Sequence, residues 1–64
     1  MATTILRLPQ VKGRTGLSRS TIYLKMNLDE FPQSIKLGLR SVGWNSDDVE
    51  QWIHDRIDES RGED

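Results

Sequence analysis

A mainly α fold with one short β-hairpin is what this chain of 64 residues predicts, on three observations. In Thr15-Gly16-Leu17-Ser18-Arg19-Ser20-Thr21-Ile22-Tyr23, a helix-ending glycine, a capping serine and a new helix follow one another directly. Ser34-Ile35-Lys36-Leu37 and Arg40-Ser41-Val42-Gly43-Trp44 roughly alternate about Gly38, as the strands of a hairpin do. Val49, Trp52, Ile53, Arg56 and Ile57 recur at the spacing of a helix with one buried face. Together these give three helices plus a two-stranded wing. The predicted unit is a winged helix-turn-helix over residues 1–57, followed by an acidic, flexible tail over 58–64.

The first helix is expected over about Pro9–Arg14. Proline suits the first helical turn, where its missing N–H is not needed. Leu8 and Val11 supply its apolar contacts, and Ile5-Leu6 before it can add a brief extended segment to the core. Gly13 is a poor interior residue, costing ~1 kcal/mol relative to alanine, so this helix depends on packing. Gly16 can take the left-handed conformation that ends it.

The second helix is expected over about Arg19–Asn27, with Ser18 as N-cap and Leu17 packing on Ile22 as a hydrophobic staple. Ile22 and Met26, four apart, share its buried face. Leu24 falls off that stripe and is expected to be exposed. Leu28 and Phe31 are expected to return the chain to the core, and Pro32 prevents further helix. Lys36 and Arg40 would sit near the hairpin tip.

The last helix is expected to start near Ser46 or Asp47. Asp47 and Glu50 have the spacing of a capping box, and Asp48 favours the positive end of the helix dipole. Trp52, the largest apolar side chain on the stripe, is expected to be the core centrepiece, with Trp44 beside it.

The charge layout separates a recognition helix from an ordinary solvated helix start. Met1 to Leu28 carries Arg7, Lys12, Arg14, Arg19 and Lys25 and no acid. Asp29 to Ser46 balances Asp29 and Glu30 against Lys36 and Arg40. Asp47 to Asp64 holds eight acids against Arg56 and Arg61. The net charge of −1 therefore hides a strongly polar molecule. A local basic face, not the total, is what phosphate contacts require. Arg19, Ser20, Thr21 and Tyr23, following Ser18, present donors and short polar groups suited to the major groove. With Lys12, Arg14, Lys36 and Arg40 they form the candidate DNA-binding set.

Other classes find little support. There is no cysteine and one histidine, His54, so neither a disulfide framework nor a zinc centre is expected. No glycine-rich phosphate loop or nucleophile–base arrangement occurs, and a domain this small leaves little room for a deep pocket. An enzyme is not expected, nor any cofactor. No apolar run approaches the length of a membrane span, and the N-terminus lacks the pattern of a signal peptide. A cytoplasmic, nucleoid-associated protein is expected. The alternative is a small protein-interaction adaptor that uses the acidic C-terminal helix and binds no DNA.

The order and spacing of several segments are also specific. They are Leu6-Arg7-Leu8 leading to Val11, then residues 15–23, then Phe31-Pro32-Gln33-Ser34-Ile35-Lys36-Leu37-Gly38. Arg40-Ser41-Val42-Gly43-Trp44 and Asp48-Val49-Glu50-Gln51-Trp52-Ile53 follow. In this, from about Ile5 to Ile57, the chain resembles the AlpA family of prophage regulators. More broadly it is similar to small phage excisionases with a MerR-like winged-helix fold. The resemblance implies sequence-specific binding of double-stranded DNA. It puts Arg19, Ser20 and Tyr23 on the recognition helix and Lys36 and Arg40 on the wing. It also implies a role as transcription activator of prophage genes or as directionality factor in excision. RNA polymerase, a recombinase or further copies of the chain on adjacent sites are the corresponding partners. Two positions depart from the family pattern. Leu24-Lys25 stand where a basic residue followed by an apolar one is expected, and Asp29-Glu30 replace a glycine before Phe31-Pro32.

Overall fold

In the computed structural model, residues 3–62 are described. Their order is β1 (Ile5–Leu6), α1 (Leu8–Thr15), α2 (Arg19–Asn27), β2 (Ile35–Lys36), β3 (Val42–Asn45) and α3 (Ser46–Gly62). The strands form one antiparallel sheet in the order β1-β3-β2. The expected two-stranded hairpin thus has a third strand: Ile5-Leu6 is the brief extended segment, and it pairs with Asn45 and Trp44.

Local chemistry accounts for the helix ends. The Arg7 N–H donates to Gln10 Oε1 at 2.8 Å, which starts α1 without a capping serine. Gly16 ends it with φ +73°, its N–H donating to the Lys12 carbonyl at 2.8 Å. Ser18 caps α2 as expected, its Oγ accepting from the Thr21 N–H at 3.3 Å. The far end of α2 is a Schellman motif. Asp29 takes φ +58°, its N–H donates to the Met26 carbonyl, and the Glu30 N–H donates to the Lys25 carbonyl. Asp29 can hold this place because a short polar side chain tolerates the left-handed region best after glycine.

The start of α3 differs from the expectation. Its cap is Asn45, whose Oδ1 accepts from the Asp47 N–H at 2.8 Å. Ser46 and Asp47 are engaged elsewhere. Ser46 Oγ accepts from the Thr4 N–H at 2.9 Å, the Ser46 N–H donates to the Thr4 carbonyl at 2.8 Å, and the Thr3 hydroxyl donates to Asp47 Oδ2 at 2.7 Å. These bonds prolong the β1–β3 pairing into the first turn of the helix. Glu50 accordingly makes no capping box and is free to reach α1.

Helix α3 continues through Asp58 to Gly62, so the acidic tail expected over 58–64 is helical as far as it is described; Glu63 and Asp64 lie outside the described residues. Arg56 pairs with Glu59 one turn on, and Arg61 lies in the last turn where a cation suits the dipole.

The core is Leu6, Val11, Ile22, Phe31, Trp44 and Val49, all essentially buried. Leu8, Leu17, Tyr23, Met26, Val42, Trp52 and Ile53 are half-buried against it. The two tryptophans exchange the expected roles. Trp44 is fully buried, paired across the sheet with Leu6 and edge-on to the Tyr23 ring at 6.3 Å. Trp52 is half-buried and acts as a clasp. Its Nε1–H donates to the Glu30 carbonyl at 2.7 Å, and its ring meets Phe31 edge-on at 5.0 Å. A residue on a helix stripe can still lie at the margin of the core, whereas Trp44 sits at the centre of the middle strand with neighbours on both sides. Leu28, expected inside, is 57 % exposed because the Schellman turn takes the chain away beneath it, while Leu24 is exposed as expected.

Two stability orders follow. Trp44→Ala is expected to cost about 3–5 kcal/mol, enough to unfold a domain of this size, and Trp52→Ala clearly less. Thermal melts would reject this arrangement if the order were reversed. A methyl at Gly13 would meet nothing within 4 Å, so Gly13→Ala should stabilise by up to ~1 kcal/mol. Gly16→Ala, forced to φ +73°, should destabilise by a comparable amount. Urea denaturation of the two variants gives opposite shifts if α1 ends where it does here.

Candidate nucleic-acid interface

The turn from α1 to α2 is three residues, Gly16 to Ser18, and it presents the start of α2 outward. Arg19 and Ser20 are exposed, and together with Tyr23 they line a shallow surface pocket. The Arg19 guanidinium lies over the Tyr23 ring, 5.3 Å from its centroid, a cation–π arrangement that orients the guanidinium. Tyr23 in turn rests on Trp44. The surface cluster is thus seated directly on the core. Among the described residues Arg19 has no carboxylate within salt-bridge distance, so its charge is uncompensated there.

The other candidate residues divide by what holds them. Ser18 and Thr21 form the cap, their hydroxyls 2.9 Å apart. Thr21 is half-buried. Arg14 Nη1 pairs with Glu50 Oε1 at 3.1 Å, binding the end of α1 to α3, yet its side chain remains about half exposed. Lys12 is exposed on α1. On the β2–β3 hairpin, Lys36 lies opposite Val42 in the register, and Arg40 is exposed in the connecting turn. The Leu37 and Gly38 N–H groups both donate to the Ser41 carbonyl, at 2.8 and 3.3 Å, which holds that turn. Lys12, Lys36 and Arg40, like Arg19, have no acidic partner within 4 Å among the described residues.

The structure also draws attention to residues outside the candidate set. Arg7, exposed between β1 and α1, is a further cation without an acidic partner among the described residues. Its place in the acid-free first half was the available signal. Leu39, in the turn beside Arg40, is 97 % exposed. Lys25, by contrast, pairs with Glu30 at 3.9 Å.

The acidic groups gather elsewhere. Asp29, Glu30, Asp48, Asp55 and Glu59 border an open groove beside Phe31 and Trp52. Among the described residues no three His, Cys, Asp or Glu side chains come together as a metal-holding group, and no helix is long and apolar enough to cross a membrane.

The arrangement offers cations on α1 and the β2–β3 hairpin, and hydrogen-bonding side chains on the first turns of α2. Such a face is complementary to a polyanion whose groove is wide enough for a helix. The Arg14–Glu50 pair, being half exposed, should contribute less than ~1 kcal/mol, measured as the coupling energy in a double-mutant cycle of Arg14→Ala and Glu50→Ala. A coupling well above that would mean that α3 is held on α1 mainly by charge.

Known proteins resemble the chain over the same span. A family model described as the prophage CP4-57 regulatory protein (AlpA) matches residues 4–57. An uncharacterized protein, ORF88, of Enterobacteria phage P4 is 44 % identical over 52 residues, which cover 81 % of this chain and 59 % of that protein. The DNA-binding transcriptional activator AlpA of Escherichia coli (strain K12) is 39 % identical over 61 residues, with 86 % of this chain and 87 % of the relative covered. The chain thus spans well under two thirds of the phage relative but most of the bacterial one.

Proposed function

The chain belongs to the AlpA family of prophage regulatory proteins, and from that membership we propose that it is a transcriptional regulator that binds double-stranded DNA sequence-specifically. In this reading α2 enters the major groove and the β2–β3 hairpin acts as the wing. The observation that carries it is the start of α2, where exposed Arg19 and Ser20 cluster with half-buried Tyr23, and Arg19 has no acidic partner among the described residues. Arg19, with its guanidinium steadied on Tyr23, has the fork geometry for guanine O6 and N7. Lys12, Arg14, Lys36 and Arg40 take phosphates and set the register. The protein works in the cytoplasm, on the nucleoid.

Transcriptional activation is the role supported by the name of the bacterial relative, and at a prophage promoter it would bring RNA polymerase in as partner. A directionality role in excision would use the same DNA contacts beside a recombinase. So small a domain covers few base pairs, which favours further copies on adjacent sites. A promoter reporter run alongside an excision assay separates the two roles.

The test of DNA binding is selection of bound duplexes from a random pool, then footprinting and titration. Recovery of no common sequence would end the proposal of sequence-specific binding. On the selected duplex, Arg19→Ala is expected to lose about 1–3 kcal/mol and to relax preference at one position. Equal losses on specific and random duplex would make Arg19 a phosphate contact instead. Lys36→Ala with Arg40→Ala should weaken binding to both kinds of duplex alike. It should make the slope of log affinity against log salt shallower by up to about two phosphate equivalents. A double variant with unchanged slope would remove the hairpin from the interface.

A further inference from the structure

Leu39 is the most exposed large apolar residue among those described, at 97 %, against 58 % for Leu24, the next. A single exposed leucine by itself needs no explanation. This one differs in where it stands. It occupies the turn of the hairpin, held from behind by the two hydrogen bonds to the Ser41 carbonyl. Space around the preceding Gly38 is open, with nothing within 4 Å of a methyl built there. Lys36 and Arg40 flank it in sequence, and neither has an acidic partner within 4 Å among the described residues. An apolar side chain on a braced tip between two uncompensated cations matches a surface whose stacked base steps an apolar wedge can part and whose rims are anionic. The minor groove of a duplex is such a surface. It is about 6 Å wide, too narrow for a helix but open to one side chain.

We propose that Leu39 is an apolar wedge, which enters the minor groove beside the site read by α2 while Arg40 and Lys36 hold the phosphates on its flanks. The proposal rests on the DNA-binding reading above and adds a residue and a specificity to it. Leucine has no hydrogen-bonding group, so it reads no base edge directly. It selects through deformability: it favours a flexible pyrimidine–purine step, which opens easily, over a stiff A-tract. Part of the preferred sequence would then lie outside the bases that α2 touches.

The experiment uses the full chain and the duplex recovered by selection. The wild-type protein is titrated first, so that absence of any duplex binding shows as a failure of the DNA-binding reading and takes the wedge with it. Leu39→Ala should leave the melting temperature unchanged, because the side chain lies almost wholly in solvent. It should weaken binding roughly ten- to fiftyfold, from the apolar area left uncovered. The salt slope should stay as it was, because no phosphate contact is lost. With 2-aminopurine placed at the flanking step, wild-type binding should raise its fluorescence and binding of Leu39→Ala should not. Replacing that step by an A-tract should weaken the wild type and leave Leu39→Ala nearly unaffected. Wild-type affinity and an unaltered 2-aminopurine response in Leu39→Ala would overturn the proposal. So would a weakened variant with a shallower salt slope, which would make Leu39 a prop for the two cations instead of a wedge.

Discussion

Trp44, buried at the middle of β3, is the contact on which the rest of the molecule depends. One strand of four residues carries it, and that strand is the only neighbour of both β1 and β2. The indole faces Leu6 across the sheet and Tyr23 from α2, and α3 begins two residues further along the chain. A small domain buries only about 60 % of the surface its unfolded chain exposes, so one large side chain at the centre counts for much. Its Nε1–H finds no hydrogen-bond partner among the described residues, a cost accepted for the area the ring buries.

The same strand is packed closely on its other face. A methyl at Gly43 would come within 2.5 Å of Ile5 Cγ2 and 3.0 Å of the Leu6 carbonyl. Glycine is therefore what lets β1 lie close against β3. Through this contact the N-terminal segment reaches the first turn of α3, where Thr3 and Thr4 bond Asp47 and Ser46. The sheet is short, but it joins the basic first half of the chain to the acidic last helix. The Tyr23–Trp44 contact then passes that rigidity to the surface, since the ring that carries the Arg19 guanidinium rests on the core. An exposed side chain held this way has less freedom to lose on any binding event than one on a loose helix.

Charge is distributed by function and by architecture at once. Cations on α1, α2 and the hairpin stand largely without acidic neighbours, and five of the eight acids among the described residues border the groove beside Trp52. Glu50 is the exception that crosses over to Arg14, and Glu30 pairs with Lys25. These pairs fasten the frame while leaving Arg19, Lys36 and Arg40 uncompensated. A total charge near zero keeps self-repulsion small without weakening the local field of the basic face.

Much of this was legible in the residues themselves. Gly16, Leu17 and Ser18 specify a helix end, a staple and a cap within three positions, and α2 runs over Arg19–Asn27 as its pattern predicts. These features act over one or two turns, so local chemistry suffices to determine them. The acid-free first half likewise marked the candidate interface, because charge can be counted without coordinates. Tertiary structure decided the rest. Periodicity identified a buried stripe through Trp52 but not its depth, and burial depends on which elements lie opposite; hence Trp44, not Trp52, is the centre. Asn45, Ser46 and Asp47 were all able to cap α3. The choice fell to Asn45 because Thr3 and Thr4, more than 40 residues away, engage the other two. Whether an arginine is free or paired is also a long-range matter, and only the fold brought Glu50 to Arg14 and kept acids away from Arg19. A cap can be read from a neighbour in sequence, but a partner across space cannot.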